Sequence, residues 1–243
     1  MHRFLLSAQD INGGLATLSQ DEAKHALKVL RLSDGDEVEA MDGHGRAWRG
    51  MLRVNGREVG IELDAPLPST EAPVELTVYM GLVKGEKLEL IAQKLTEIGV
   101  SRLVPVRMER SVMQIAPADA AKKLERPRRI AKEALKQCGR TREMEITDPM
   151  DFPALCEKVS GHQKCFVFWE NARDVRLLDV FRQQPELNDL ACVIGPEGGI
   201  SEKEMEALIC AGACPLTLGK RILRAETAAI AASAEILALW GDM

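Results

Sequence analysis

Two glycine-bearing segments near the C-terminus are the part of this chain best suited to hold a ligand. Three glycines lie in residues 193–201, and one lies in residues 218–229. Each segment reads as an apolar strand, a glycine-containing loop and the start of a helix. Because glycine has no Cβ and accepts positive φ, such loops let a ligand approach bare backbone N–H and C=O groups. The pair therefore predicts a small-molecule pocket built mostly from main chain.

Charged residues are unevenly distributed along the chain. The 243 residues carry a net charge of −5, which argues against a protein that coats nucleic acid through its overall field. Residues 102–142 nevertheless hold 12 Lys and Arg against 4 Asp and Glu, a local charge of +8. This block predicts a localised anion-binding face, with an ordinary solvated helix surface as the alternative.

The remaining composition is that of a globular protein, with 46% hydrophobic and 28% charged residues. Its six cysteines form no C-x-x-C pair and only four histidines accompany them, so we expect no metal site. The first residues lack an apolar region of signal-peptide length, and no apolar run reaches the ~18 residues of a membrane span. We therefore expect reduced thiols, a cytoplasmic location and no membrane partner.

A proline-rich segment at residues 65–73 predicts a stiff, extended connector without secondary structure. Before it, a helix is predicted from Ser19, as N-cap, to about Leu32, with Glu22 placed to close a capping box. The alternating strands predicted to follow cover residues 38–42, 47–54 and 58–63. One helix and several short strands in so short a segment predict a small β-barrel.

After the connector, strands and helices alternate. Short, wholly apolar runs such as residues 165–168 and 190–194 are typical of parallel strands covered on both faces. The other predicted strands cover residues 74–82, 103–106 and 215–218, and the predicted helices cover residues 84–98, 119–138, 201–211 and 227–239. The pattern predicts an α/β domain, with ligands at the C-terminal ends of its strands.

The sequences of these motifs resemble those of a known family. The glycine segments read G-P-E-G-G-x-S-x-x-E and L-G-x-R-I-L-R-x-E-T-A, similar to the C-terminal signature of the RsmE-type ribosomal RNA uridine methyltransferases of the SPOUT superfamily. A departure is Met144, where the family usually has a proline. Further matches are Arg3-Phe4, H-x-x-x-V-L-R at 25–31, Q-K-L-T-E-I-G-V at 93–100, E-R-S-V at 109–112 and Q-C-G-R at 137–140.

The resemblance implies an α/β fold with two domains. Residues 1–68 would form a PUA-like RNA-binding β-barrel, and residues 74–243 a SPOUT methyltransferase domain tied in a deep trefoil knot. It also implies a homodimer that holds S-adenosylmethionine, bent, in the knot loops near the dimer interface. The implied reaction is methyl transfer to N3 of a uridine in small-subunit ribosomal RNA, either as naked RNA or in the assembled subunit.

The same resemblance assigns residues to the cofactor. The first loop would fold under the methionine end, while the backbone of the second loop would bind the adenine edge, with Ile222 and Leu223 flanking the ring. The full assigned set is Gly195, Glu197, Gly198, Gly199, Leu218, Gly219, Ile222, Leu223 and Glu226.

Catalysis at uridine N3 requires that its proton be lost or the resulting anion be stabilised. Arg140 and Arg224 are the candidates for stabilising charge on the uracil oxygens or holding phosphate, since a guanidinium stays charged at any working pH. Glu197 is either a base or a group that orders the loop. Glu226 is more consistent with a structural role at a helix start. The general base stays open.

The predicted RNA surface combines basic residues of both domains. Its members are Arg3, His25, Lys28 and Arg31 in the first domain, and Arg126, Arg128, Arg129, Lys132 and Lys136 on the basic helix.

Three other functions compete with this interpretation. A related knotted methyltransferase acting on another RNA, or at a ribose 2′-OH, is disfavoured by the H-x-x-x-V-L-R and Q-x-G-R motifs. A non-catalytic, RNA-binding ribosome-assembly factor would not need intact glycine loops. A phosphate-binding nucleotidase would require a G-x-x-x-x-G-K-[ST] loop, which the sequence lacks.

Overall fold

The computed structural model describes residues 1–56, 58–172, 175–241 and 243, and its contacts separate two compact units. The first unit consists of Met1–Glu71 together with Leu135–Glu143, and the second of Ala72–Ala134 together with Met144–Met243. The first long segment ends at Glu71, and the boundary predicted from the sequence lies between residues 68 and 74. The predicted second domain, residues 74–243, includes Leu135–Glu143, whereas the structure groups these residues with the first unit. No local pattern in the sequence indicates this grouping.

The first unit is built on a six-stranded sheet. Its strands are β1 (His2–Leu5), β2 (Ile11–Asn12), β3 (Leu15–Thr17), β4 (Glu37–Met41), β5 (Ala47–Asn55) and β6 (Glu58–Leu67). They are ordered β1-β4-β5-β6-β3-β2, with β1 parallel to β4 and the other pairs antiparallel. Alternate residues such as Phe4, Val38, Leu52 and Ile61 are fully buried, so one face of the sheet forms the core of this unit.

The predicted connector is wrong in its first part, because β6 continues through Ala65, Pro66 and Leu67. These residues pair with β5, for example Trp48 with Pro66. Pairing of β6 with β3 has already ended near Glu62. Over its last residues β6 therefore has a neighbour on one side, where a proline without an N–H costs no ladder hydrogen bond.

The predicted first helix is shorter than expected and changes type. Helix α1 (Gln20–Lys24) is capped by Ser19, whose Oγ accepts a hydrogen bond from the N–H of Glu22 at 3.3 Å. The expected capping box does not close, because the Glu22 carboxylate instead accepts from Lys136 Nζ at 2.9 Å. A π-helical turn, His25–Val29, follows, and the N–H of Leu30 donates to the carbonyl of His25.

The second unit contains a parallel sheet, with seven strands in the part of the chain that the structure describes. They are β7 (Glu75–Gly81), β8 (Arg102–Arg107), β9 (Glu145–Ile146), β10 (Met150–Asp151), β11 (Lys164–Phe168), β12 (Asp189–Ile194) and β13 (Cys214–Leu216). The order is β10-β8-β7-β12-β11-β13, with β9 also paired to β8. The predicted α/β alternation is confirmed.

Helices cover both faces of this sheet. They are α2 (Lys87–Ile98), α3 (Ala120–Cys138), α4 (Phe152–Val159), α5 (Leu177–Gln183), α6 (Glu202–Cys210) and α7 (Ala225–Trp240), of which the last four residues of α3 group with the first unit. One core joins Phe166 and Ile194 to Ile91 and Leu237, and the other joins neighbouring strand residues to α4 and α6. Burial on both faces explains why the strands are apolar throughout, at about 1.5–3 kcal/mol for each large side chain.

No helix within the described ranges combines the length and apolar character needed to cross a membrane.

Candidate active site

A cavity of about 520 Å³ opens at the C-terminal ends of β11, β12 and β13. Its walls are residues 168–170, 194–200 and 217–225, with Lys87 and Ala228. Eight of the nine predicted cofactor residues line it, and Glu226 is the exception. Parallel strands present their C-terminal ends to ligands, and a volume of this size suits a nucleoside-sized molecule. The structure thus brings both glycine segments to one cavity.

The first loop, residues 195–200, turns tightly between β12 and α6. The N–H of Gly199 donates to the carbonyl of Pro196 at 2.9 Å, with a φ of 73° at Gly199. At Gly198, an added Cβ would lie 2.9 Å from Arg110 Cβ and 3.0 Å from the Arg110 carbonyl oxygen. The absent Cβ of Gly198 therefore accommodates the chain around Arg110.

A capping network anchors the end of this loop to α6. Ser201 and Glu204 form the predicted capping box: the N–H of Glu204 donates to Ser201 Oγ, and the N–H of Ser201 donates to Glu204 Oε2. Glu109 joins it, because its N–H donates to Glu204 Oε1 at 2.7 Å and its carboxylate accepts from Ser201 Oγ at 2.8 Å. The carboxylate of Glu204 is buried and satisfied on both oxygens, so the loop is held from two sides.

The second loop, residues 217–224, connects β13 to α7. Gly219 has a φ of 105°, and its N–H donates to Thr217 Oγ1 at 3.1 Å. An added Cβ at Gly219 would meet no atom within 4 Å, so the backbone there faces open space. Ile222 is 87% exposed and Leu223 is half-buried, and both line the cavity. Apolar side chains around bare main chain suit the flat face of an aromatic ring.

Lys87, which the sequence analysis missed, lies between the two loops. Its ammonium is 3.0 Å from Glu197 Oε1 and 3.5 Å from Glu226 Oε2. The N–H of Lys84 also donates to Glu197 Oε1 at 3.0 Å. The position of Lys87 at the start of α2, the helix that follows the C-terminal end of β7, was the signal in the sequence that could have identified it.

These contacts determine the charge of Glu197. Burial alone would raise its pKa, but the hydrogen bonds from Lys84 and Lys87 outweigh burial and hold the pKa below its usual range. The hydrogen bond to Glu197 in turn raises the pKa of Lys87. Both groups are therefore charged at neutral pH. This geometry favours Glu197 as the group that orders the loop over its alternative role as a base.

Residues at the end of β11 complete the cavity. Phe168, Trp169 and Glu170 lie on its wall, and none of them was assigned to the cofactor from the sequence. An added Cβ at Gly199 would lie 2.9 Å from Glu170 Oε1, so this glutamate packs against the first loop. β11 neighbours both β12 and β13 in the sheet, and the sheet order alone would have pointed to its C-terminal end.

The two predicted catalytic arginines have different surroundings. Arg224, just before α7, is exposed and lines the cavity, and its guanidinium bonds to no residue that the structure describes. Arg140 belongs to the first unit and is only 4% exposed. Its Nε and Nη2 donate to Glu71 Oε2 at 3.1 and 2.7 Å.

Glu71 also accepts from the backbone N–H groups of Thr141 and Arg142 at 2.7 and 2.9 Å. Burial raises the pKa of the Glu71 carboxyl, but its bonds and charge interaction with Arg140 lower the pKa more. Arg140 and Glu71 are thus a buried ion pair that holds residues 140–142 within the first unit. The catalytic role of Arg140 stays a prediction that this geometry does not favour.

Several predicted RNA-binding residues of the first unit have partners within it. Arg3 Nε donates to Glu39 at 2.7 Å, and Arg3 Nη1 donates to the carbonyl of Gln137 at 2.9 Å. Lys136 pairs with Glu22. Of the predicted RNA-binding residues in this unit, His25, Lys28 and Arg31 are exposed, at or just after the π-helical turn.

Arg31 adopts a left-handed conformation, with a φ of 58°. This conformation costs a non-glycine residue about 1–2 kcal/mol. Strained residues of this kind cluster at functional positions, as do π-helical turns.

Helix α3 contains predicted RNA-binding cations that are engaged in ion pairs. Arg126 pairs with Glu89 at 3.0 Å, and Arg128 donates to the carbonyl of Ile146 and to Asp148, each at 2.9 Å. Arg129 and Lys132 are exposed. The basic face therefore forms a narrower strip than the sequence predicts.

The chain is similar to known proteins over most of its length. A family model described as an RNA methyltransferase domain matches residues 70–237, and one described as an RNA methyltransferase PUA domain matches residues 18–60. Ribosomal RNA small subunit methyltransferase E of Bacillus subtilis is 32% identical over 226 residues, covering 90% of this chain and 88% of its own. The Synechocystis protein of the same name is 31% identical over 239 residues, covering 98% and 78%.

Two related structures were solved with the cofactor bound. Ribosomal RNA small subunit methyltransferase E of Neisseria gonorrhoeae, bound to S-adenosylmethionine, is 30% identical with a TM-score of 0.89, covering 100% of this chain and 99% of its own. A methyltransferase of Legionella pneumophila, also with bound S-adenosylmethionine, is 29% identical with a TM-score of 0.88, covering 99% and 98%.

The fold, the glycine-lined cavity and the domain matches together define an RNA methyltransferase domain combined with a PUA domain. The resemblance inferred from the motifs is confirmed by relatives that match over nearly the whole chain. The chain belongs to the ribosomal RNA small subunit methyltransferase E family.

Proposed function

We propose that this protein methylates N3 of a uridine in small-subunit ribosomal RNA, with S-adenosylmethionine as the donor. Its family establishes the coarser function, which is S-adenosylmethionine-dependent methylation of small-subunit ribosomal RNA. The observation that carries the proposal is the cavity formed where both glycine loops meet at the ends of β11, β12 and β13. The choice of N3 rests on the motif resemblance.

The cavity fits this cofactor in size and chemistry. Its volume of about 520 Å³ lies within the range of small-molecule sites, and its walls combine glycine backbone and apolar side chains with several charged side chains. The open backbone at Gly219, with Leu218, Ile222 and Leu223, would hold the adenine, and the loop from Gly195 to Gly199 would hold the methionine end. When bound, S-adenosylmethionine supplies a methyl group activated by a positively charged sulfur.

The chain itself contributes charge and position at the reacting base. Uridine N3 becomes nucleophilic when it loses its proton, which leaves negative charge shared with the uracil oxygens. Arg224 presents a guanidinium without a protein partner among the described residues at the cavity, so it is placed to stabilise that charge. Glu197 keeps the first loop in place through Lys84 and Lys87.

RNA would be bound by exposed cations of both units. His25 and Lys28 lie in the π-helical turn of the PUA domain, and Arg31 follows it. Arg129 and Lys132 lie on α3. Long basic side chains such as these contact phosphates, which set orientation, while unpaired bases supply specificity. Arg3, Arg126, Arg128 and Lys136 would act by holding the protein's own structure, because each is engaged in an ion pair.

We also propose the finer architecture that the family resemblance implies. The sheet of the first unit would close as a PUA-like barrel, and the glycine loops would belong to a deep trefoil knot. The protein would act as a cytoplasmic homodimer. The exposed Ile222 beside the cavity supports the homodimer. An apolar side chain that is 87% exposed is suited to being covered by a ligand or by a second protomer.

The direct test uses small ribosomal subunits from cells that lack this enzyme. The purified protein is incubated with them and with S-adenosylmethionine carrying a ¹³C methyl group, and the RNA is digested to nucleosides for mass spectrometry. We expect labelled N3-methyluridine. Label on a ribose 2′-oxygen, or label only in another RNA, would support the related-methyltransferase alternative. RNA binding without any transfer would support the assembly-factor alternative.

A further inference from the structure

Lys87 is the side chain that connects the two glycine loops. Its ammonium contacts Glu197, which lies within the first loop, and Glu226, which lies in the first turn of α7 directly after the second loop. Lys87 itself comes from α2 and lines the cavity. One cation of the cavity wall thus contacts a carboxylate within the first loop and a carboxylate just after the second loop.

The two carboxylates need this cation. The side chain of Glu226 is 12% exposed, and its Oε2 is buried without a hydrogen-bond partner in the described structure. A buried carboxylate is costly unless a positive charge lies nearby, and the Lys87 ammonium supplies that charge at 3.5 Å. Without the cation, Glu197 and Glu226 would repel one another across the pocket wall.

The position of Lys87 in its helix argues that it is not there to stabilise α2. It is the first residue of this helix. A cation in the first turn opposes the helix dipole and so destabilises the helix. The contacts with Glu197 and Glu226 explain why a lysine occupies a place where an acidic residue would serve the helix better.

We propose that Lys87 is a positioning residue that sets the separation of the two loops and thereby the geometry in which S-adenosylmethionine is held. The inference rests on the proposed function, because it concerns the same pocket. It assigns Lys87 to the affinity for the cofactor and to the rate of transfer, and not to the binding of RNA.

The test compares four variants, three with single substitutions and one with two. Lys87→Met keeps length and removes the charge, while Lys87→Arg restores a cation of similar reach. Lys84→Met is the matched control, because its side chain is exposed and Lys84 contacts Glu197 through its backbone N–H. Calorimetric titration with S-adenosylmethionine is combined with steady-state kinetics on small subunits and with denaturant unfolding.

We expect Lys87→Met to weaken cofactor binding at least tenfold and to raise the KM for S-adenosylmethionine, with the KM for RNA unchanged. Lys87→Arg should recover most of the affinity, and Lys84→Met should match the wild type. Adding Glu226→Gln to Lys87→Met should restore part of the loss, because the second change removes the uncompensated carboxylate.

Two outcomes would overturn the role of Lys87. One is wild-type cofactor affinity in Lys87→Met, and the other is an equal rise in the KM for both substrates that follows the loss of folding stability. A wild-type protein that binds the cofactor but yields no N3-methyluridine would overturn the proposed reaction alone. The titrations of the variants would still decide whether Lys87 positions the loops.

Discussion

At the scale of single residues, a comparison of Gly219 with Gly212 separates the effect of backbone strain from the effect on cofactor binding. Their φ angles are 105° and 101°, and at neither position would an added Cβ meet an atom within 4 Å. Gly219 lines the cavity, whereas Gly212 follows α6 and is not part of the cavity wall. An alanine at either position should therefore cost the same free energy of unfolding, about 1–2 kcal/mol.

We expect only Gly219→Ala to weaken S-adenosylmethionine binding, by about tenfold or more, since its backbone must remain open to the ligand. Denaturant unfolding measures the shared loss of stability, and calorimetry measures the affinity. Equal cofactor affinity in the two variants would show that Gly219 serves only its own turn.

Arg140 and Arg224 were predicted from the sequence to have equivalent roles, but Arg140 is paired with Glu71 whereas the Arg224 guanidinium has no partner among the described residues. Removing the guanidinium in Arg140→Met leaves the Glu71 carboxylate buried without its cation, which should lower the free energy of unfolding by about 3 kcal/mol. Arg224→Met should leave stability within about 0.5 kcal/mol and lower kcat/KM for methyl transfer by about 10²–10³. Urea unfolding and single-turnover assays measure the two effects. The opposite pattern would return Arg140 to the active site.

At the scale of elements, α3 illustrates why charge alone overstates an RNA surface. Arg128 and Arg129 are neighbours, yet Arg128 holds the carbonyl of Ile146 and Asp148 while Arg129 is exposed. Arg129→Ala should weaken RNA binding and reduce the slope of log K against log salt by about one, without loss of stability. Arg128→Ala should instead lower stability and leave that slope unchanged. Binding titrations at several salt concentrations distinguish them, and an unaltered slope in Arg129→Ala would make α3 a solvated face.

The turn after α1 shows a second limit of element prediction. Periodicity predicts one helix from Ser19 to Leu32, and Ser19 does cap it. The hydrogen bonds then change to the π type at His25, and the chain ends the turn with Arg31 in a left-handed conformation. Helical periodicity cannot distinguish the α and π hydrogen-bond patterns, because the spans of their hydrogen bonds differ by one residue.

At the scale of the whole molecule, the α/β domain and its pocket could be predicted because their signals are local. Apolar runs mark the parallel strands, Ser201 and Glu204 mark the start of α6, and glycines mark the loops. Tertiary partners could not be predicted in this way. The return of Leu135–Glu143 to the first unit depends on Glu71 meeting Arg140 across 69 positions of sequence.

Tertiary partners that the sequence does not show also explain the other differences between the predicted and the observed features. Arg128 and Lys136 were predicted to bind RNA and Lys87 was not singled out, because the sequence does not show their carboxylate partners. Met144, which replaces the usual proline of the family, is buried beside Thr96 in the core of the second unit. A side chain that fills a core is thus compatible with the turn that a proline would have restricted.

Hydrogen exchange of the protein with and without saturating S-adenosylmethionine tests whether the glycine loops bind the cofactor, because it locates the bound cofactor on the chain. We expect slower exchange of the backbone N–H groups in residues 195–200 and 217–225. Protection elsewhere, or unchanged exchange in both loops while calorimetry shows saturated binding, would contradict the assignment of the glycine loops as the cofactor site.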